Sequence, residues 1–165
     1  SWRCSRIARG VAPALAAGCS VIIKPSADTP VTAYEFIKIC QEAGLPDGLV
    51  NLVNGRGSVA GDLLARHKGV DQITFTGSVP TGERVLVAAA SHAIPCNMEL
   101  GGKSPQILFA DADLEKSLPI VAGGFLTHCG QVCNAGTRLF VERSIHDRVI
   151  DKLHTRISAI SLSRS

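Results

Sequence analysis

The feature that most constrains this chain is a repeated alternation. A short apolar, often β-branched run is broken by glycine or proline, and a longer stretch with helical spacing follows. "CSVIIKP" (19–25) is one such run, closed by Pro25. "DTPVTAYEFIKICQEAGLP" (28–46) comes next, with apolar residues at 33, 36, 37 and 40. Thr29 stands at its capping position, Pro30 in its first turn, and Gly44 and Pro46 at its stop. The same reading predicts strands over 48–55, 70–78, 95–102, 104–111 and 137–143. It predicts helices over 4–18, 57–67, 79–92, 111–130 and 145–160, with 111–130 interrupted around Pro119 and Gly123–Gly124. Strands alternating with helices imply βαβ units, right-handed crossovers and a mostly parallel sheet, hence an α/β fold.

In an open sheet of this kind, ligands sit beyond the carboxyl ends of the strands. Those ends carry Lys24-Pro25-Ser26, Gly55-Arg56-Gly57, Thr76-Gly77-Ser78 and Glu99-Leu100-Gly101-Gly102, four candidate loops on one rim. "GRGSVAG" (55–61) and "TGSVPTG" (76–82) place glycine between strand and helix, where backbone N–H groups and a helix N-terminus face an anion such as a pyrophosphate. Tight turns alone would explain them as well, and neither ends in the Gly-Lys-Ser/Thr of a Walker loop. Lys24 either snorkels at the sheet rim or reaches a sugar hydroxyl or phosphate. Glu99, between Met98 and Leu100, suits a general base, or is satisfied by the N–H groups of the glycine turn after it.

Composition removes several classes. The net charge of +3, with no basic block and 4% aromatic residues, argues against a nucleic-acid surface. No apolar run approaches the roughly 20 residues of a membrane span. The basic start "SWRCSRIARG" is not followed by the apolar segment of a secretory signal. With 45% hydrophobic and 19% charged residues, the 165-residue chain is expected to be globular. Its six cysteines are scattered through apolar and helical surroundings, which predicts reduced thiols in a cytoplasmic or otherwise intracellular protein.

Cys133, in "GQVCNAG", admits four readings. A metal site with His128 and Cys129 lacks paired ligand spacing, and no metal is expected. A Cys129–Cys133 redox pair has the wrong separation for a CxxC motif. A core cysteine is always plausible. A nucleophile fits the small neighbours, with the backbone N–H and the Asn134 side chain available to developing negative charge.

"MELGGKSP" (98–105), followed by Cys133 in "GQVCNAGTRLFV", resembles the NAD(P)-dependent aldehyde dehydrogenase superfamily. "APALAAGCSVIIKPSADTP", "EAGLPDGLVNLVNG" and "VDQITFTGSVPTG" are similar to it in the same order. The resemblance implies a Rossmann-like parallel sheet in a partial cofactor-binding domain over 1–98, and the start of an α/β catalytic domain over 99–165. It implies that Cys133 is the nucleophile forming a thiohemiacetal and then a thioester, and that Glu99 activates the hydrolytic water. Lys24 would hold the adenosine ribose, and Ser78 after Gly77 the pyrophosphate. Ser26, Ala27, Gly57, Gly82 and Leu100 fall in the other cofactor-contacting segments. The cofactor would be NAD or NADP, the substrate a small aldehyde, and the full-length protein a homo-oligomer without nucleic-acid or membrane partners. Glu99 argues against transfer of the thioester to coenzyme A, a route that needs no water-activating base. A non-catalytic protein that kept this fold is the alternative.

Two departures stand beside the resemblance. Many family members carry an acidic residue three positions after the ribose-binding lysine. Here Ala27 occupies it, next to Asp28, which implies tolerance of a 2′-phosphate and so of NADP. The family's Pro-Trp-Asn segment, whose Asn completes the oxyanion site, has no Asn counterpart in "SWRCSRIARG", and "SLSRS" comes before the second half of the catalytic domain. The expectation is an internal fragment, poorly soluble and inactive by itself.

Overall fold

The computed structural model describes residues 2–160, with side chains from Ile7 onward. The chain forms two units. One runs to Thr76 and resumes over Pro80–Met98; the other takes Gly77–Val79 and the chain from Glu99 on.

In the first unit, α1 (Trp2–Ala16) ends where Gly18 turns left-handed at φ 80°, and the Cys19 N–H donates back to the Ala14 carbonyl at 2.9 Å. β1 (Val21–Ile23) pairs in parallel with β2 (Val50–Leu52), Val21 opposite Val50 and Ile23 opposite Leu52. Between them α2 (Val31–Glu42) is capped by Pro30, not Thr29. The reason is local: the Thr29 N–H is tied to the Ser26 carbonyl at 3.2 Å, while the Pro30 carbonyl accepts the first helical bonds from Ala33 and Tyr34. The helix expected over 57–67 is instead a π turn, Gly57–Gly61, followed by the four-residue α3 (Asp62–Ala65). The Arg56 carbonyl draws in the N–H groups of Val59, Ala60 and Gly61 together, which widens the first turn. β3 (Ile73–Gly77) pairs with β4 (Cys96–Leu100), the last residues of both strands being counted with the second unit, and α4 (Val79–Ala90) connects them, with Pro80 harmless in its first turn.

In the second unit, β5 (Pro105–Leu108) and β6 (Arg138–Val141) are parallel, Gln106 opposite Leu139 and Leu108 opposite Val141. The linking helix α5 (Leu114–Leu126) begins on Asp113, whose carboxylate accepts from the N–H groups of Glu115 and Lys116. The interruption expected at Pro119 and Gly123–Gly124 does not occur. The helix runs through because Leu114, Leu118, Val121 and Ala122 are buried along one face, and that packing outweighs the missing N–H and the glycine entropy. α6 (His146–Ser158) adds Val149 and Leu153 to the same core, which also holds Leu108 and Ile145. The opposite face of the β5–β6 pair is bare, with Ile107 60% and Phe140 51% exposed.

The architecture is α/β. Among the described residues, however, the strands pair two by two, not as one continuous sheet. Prolines and glycines at the ends of each run (Pro25, Gly55, Pro95, Gly101) shorten the ladders to between three and five residues, leaving few positions to recruit a second neighbour. No helix among the described residues is long and apolar enough to cross a membrane.

Candidate active site

Cys133 lies at the tip of a turn between α5 and β6. After α5 the chain reverses through His128 (φ 50°), Cys129 (φ 56°) and Gly130 (φ 72°), three successive left-handed residues. Two of them carry side chains, at a cost of order 1–3 kcal/mol each, so the surrounding contacts must enforce the reversal. The Gln131 N–H donates to the His128 carbonyl at 3.0 Å. A second turn follows at once, closed by the Ala135 N–H donating to the Val132 carbonyl at 3.0 Å, with Cys133 and Asn134 as its central residues. Cys133 is half-buried and unbridged, neither sealed in the core nor fully exposed.

Glu99, also half-buried, is the penultimate residue of β4 and belongs to the same unit as Cys133. The loop that follows it touches the cysteine turn at one point and is tied to the start of β6 at two others. A Cβ added to Gly102 would stand 3.7 Å from the Cys133 carbonyl oxygen, so the two backbones are in contact there. The Arg138 guanidinium donates through Nε to the Lys103 carbonyl at 2.8 Å, and the Arg138 N–H to the Ser104 carbonyl at 3.3 Å. The thiol-bearing turn and the loop that follows Glu99 are thus in contact at Gly102. Gly77 and Ser78, at the junction of β3 and α4, fall in this unit; Leu100 closes β4.

The remaining candidates lie in the first unit. Lys24 directly follows β1, and its ammonium donates to the Pro25 carbonyl at 2.6 Å. Its stem lies along Gly61, where a Cβ would come within 3.4 Å of Cε. Because β1 and β2 are parallel and in register, Lys24 and the loop from Gly55 emerge at the same end. Gly55 must be glycine: at φ 153° its Cβ would meet the Ala60 Cβ at 2.9 Å. Gly57 opens the π turn and is exposed, as are Ser26 and Ala27. The Asp28 N–H donates to Ser26 Oγ at 3.4 Å. Since α3 is so short, the helix-dipole argument made for Gly57 does not carry over. It applies to Ser78, which stands just before the twelve-residue α4, whereas Gly82 is buried within that helix.

Two residues escaped the sequence reading. Arg138 was read only as a strand residue, and Gln106 as part of an apolar run. Gln106 donates from Nε2 to the carbonyls of Val121 at 3.0 Å and Gly136 at 2.8 Å. An amide between Pro105 and Ile107, on the face that Leu108 buries, was the available signal. Among the described residues, no three His, Cys, Asp or Glu side chains are grouped to hold a metal ion.

The fold and these loops define an α/β chain whose second unit sets the cysteine turn against the loop that follows Glu99. The sequence profile of the aldehyde dehydrogenase family matches residues 4–165. A betaine aldehyde dehydrogenase of Bacillus subtilis is 46% identical over 152 residues, covering 92% of this chain and 31% of its own length. An aldehyde dehydrogenase 1 of Tanacetum cinerariifolium is 47% identical over 148 residues, 89% of this chain and 30% of its own. Among solved structures, betaine aldehyde dehydrogenase from Staphylococcus aureus in complex with NAD+ superposes with a TM-score of 0.88 at 42% identity, over 94% of this chain and 31% of that one. An NADP-dependent enzyme of E. coli gives 0.88 at 34% identity, over 93% and 32%. The chain belongs to the aldehyde dehydrogenase family. It spans about 31% of the length of the relatives it matches.

Proposed function

We propose that the protein carrying this chain oxidises an aldehyde to a carboxylic acid with NAD+ or NADP+. The observation that supports this reading is the contact, at Gly102, between the loop after Glu99 and the Cys133 turn, with Arg138 tying the same loop to the start of β6. The Cys133 sulfur adds to the aldehyde carbon, giving a thiohemiacetal. Loss of hydride from that carbon leaves a thioester on Cys133. Glu99 takes a proton from water, the water oxygen adds to the thioester carbonyl, and the acid departs as the thiol is restored. The backbone N–H of Cys133 and the Asn134 amide lie in the turn, where they can face the developing oxyanion.

The nucleotide, when bound, supplies the hydride acceptor. The first unit fits its adenosine end: the Lys24 ammonium is a donor suited to ribose hydroxyls, beside a loop whose glycines admit close backbone approach. Ser78, at the N-terminus of α4, suits a pyrophosphate. Residues 1–98 would then act as cofactor-binding domain and 99–165 as the start of the catalytic one. Ala27 places no carboxylate next to the ribose, which leaves room for a 2′-phosphate and hence for NADP. A reducing intracellular compartment would keep the thiols, Cys133 among them, in the form the reaction needs.

The test is steady-state aldehyde oxidation followed by nicotinamide absorbance. Cys133→Ser should abolish turnover, and Glu99→Gln should lower it by about 10²-fold or more. Wild-type turnover persisting in Cys133→Ser would overturn the proposal.

A further inference from the structure

We propose that Gln106 is the positioning residue of the Cys133 turn, an inference that rests on the reading of Cys133 as nucleophile. Strand alternation turns Gln106 toward the same side as the buried Leu108, where an apolar residue would pack at no polar cost. The amide spends both of its protons on backbone carbonyls from two different segments, Val121 in α5 and Gly136 just past the turn. The Gly136 N–H donates in turn to the Gly124 carbonyl at 2.9 Å. Gly136 is therefore held at both of its polar groups, three residues after Cys133.

The surrounding glycines are shaped to this side chain. A Cβ on Gly136 would come within 2.5 Å of Gln106 Cγ, and one on Gly124 within 3.0 Å of Gln106 Oε1. Position 136 is closed to any larger residue while Gln106 stays where it is, and position 124 is a tight fit. On its other side the turn rests against Gly102. Gln106 thus fixes the trailing end of the turn to α5, while the Glu99 loop fixes its leading face. Without the amide, the sulfur would lose its set distance from that loop, though no group that contacts aldehyde would be removed.

The test uses the protein as its gene encodes it, with Gln106→Met, which keeps the volume and removes both donors. Two quantities are read: the iodoacetamide rate at Cys133 relative to the exposed Cys129, by peptide mass spectrometry, and kcat and KM for an aldehyde. The relative alkylation rate and kcat should each fall about 10-fold, with KM changing less than about two-fold. Gly136→Ala keeps the donors but drives a methyl into Gln106 Cγ; it should give the same pattern, and it decides the question should the Met variant not fold. A Met variant that melts earlier yet keeps Cys133 reactivity and kcat within about two-fold would make Gln106 mere core filling and overturn the proposal. A wild-type Cys133 no faster than Cys129 would instead bring down the nucleophile reading, and this inference with it.

Discussion

Val149→Ala probes the packing that supports the cysteine turn. Val149 is 0% exposed, inside the cluster formed by α5, α6 and β5. Truncation to alanine removes two methyl groups, worth about 0.8 kcal/mol each in lost transfer, or ~1.6 kcal/mol. The space left, on the order of 40 Å3, adds roughly 1 kcal/mol at ~24 cal/mol per Å3. The expected loss is about 2.5 kcal/mol. In urea, with a slope of about 2 kcal/mol per molar, the midpoint should move down by roughly 1.2 M at unchanged slope, read by far-UV circular dichroism. A shift below about 0.4 M at the same slope would mean that the site collapses or admits water, and that α6 does not close this core.

The helix that leads to Cys133 should lose stability in acid. The Lys116 ammonium, then the Lys116 backbone N–H, hold the Asp113 carboxyl below its usual range; Lys152, through its hydrogen bond and its charge, does the same for Glu115. Carboxyls depressed by folding contribute fully above about pH 5 and lose that contribution as pH falls below about 4. Thermal melts from pH 7 to 3 should therefore show Tm falling at the acid end. Asp113→Asn should flatten that fall, and an equally steep one would remove Asp113 from the explanation. At the cofactor end, Ala27→Glu should cut kcat/KM with NADP by about 10-fold while sparing NAD, through repulsion of the 2′-phosphate. Equal losses with both cofactors would argue against that contact.

Much of this molecule was legible in its sequence, and the failures have physical causes. Each of the six stretches read as a strand contains one, but the ladders are shorter than the stretches because prolines and glycines bound them. Pro119 was misread because local propensity does not register the buried face of α5. Cys133 and Glu99 stood out by their small neighbours and chemistry. The residues that set their surroundings did not, because their hydrogen bonds join positions far apart in the chain: Gln106 to Val121 and Gly136, Arg138 to Lys103. Nor does anything in "THCG" signal left-handed backbone at His128 and Cys129, neither of which is glycine or asparagine.

The most direct measurement is mass spectrometry of the Glu99→Gln protein, quenched in acid after mixing with an aldehyde and an oxidised nicotinamide nucleotide. With hydrolysis blocked, the peptide containing Cys133 should carry the acyl mass of the aldehyde as a thioester, formed together with a stoichiometric burst of reduced nucleotide. Reduced nucleotide appearing while that peptide stays unmodified, or an acyl group on another cysteine, would contradict the assignment.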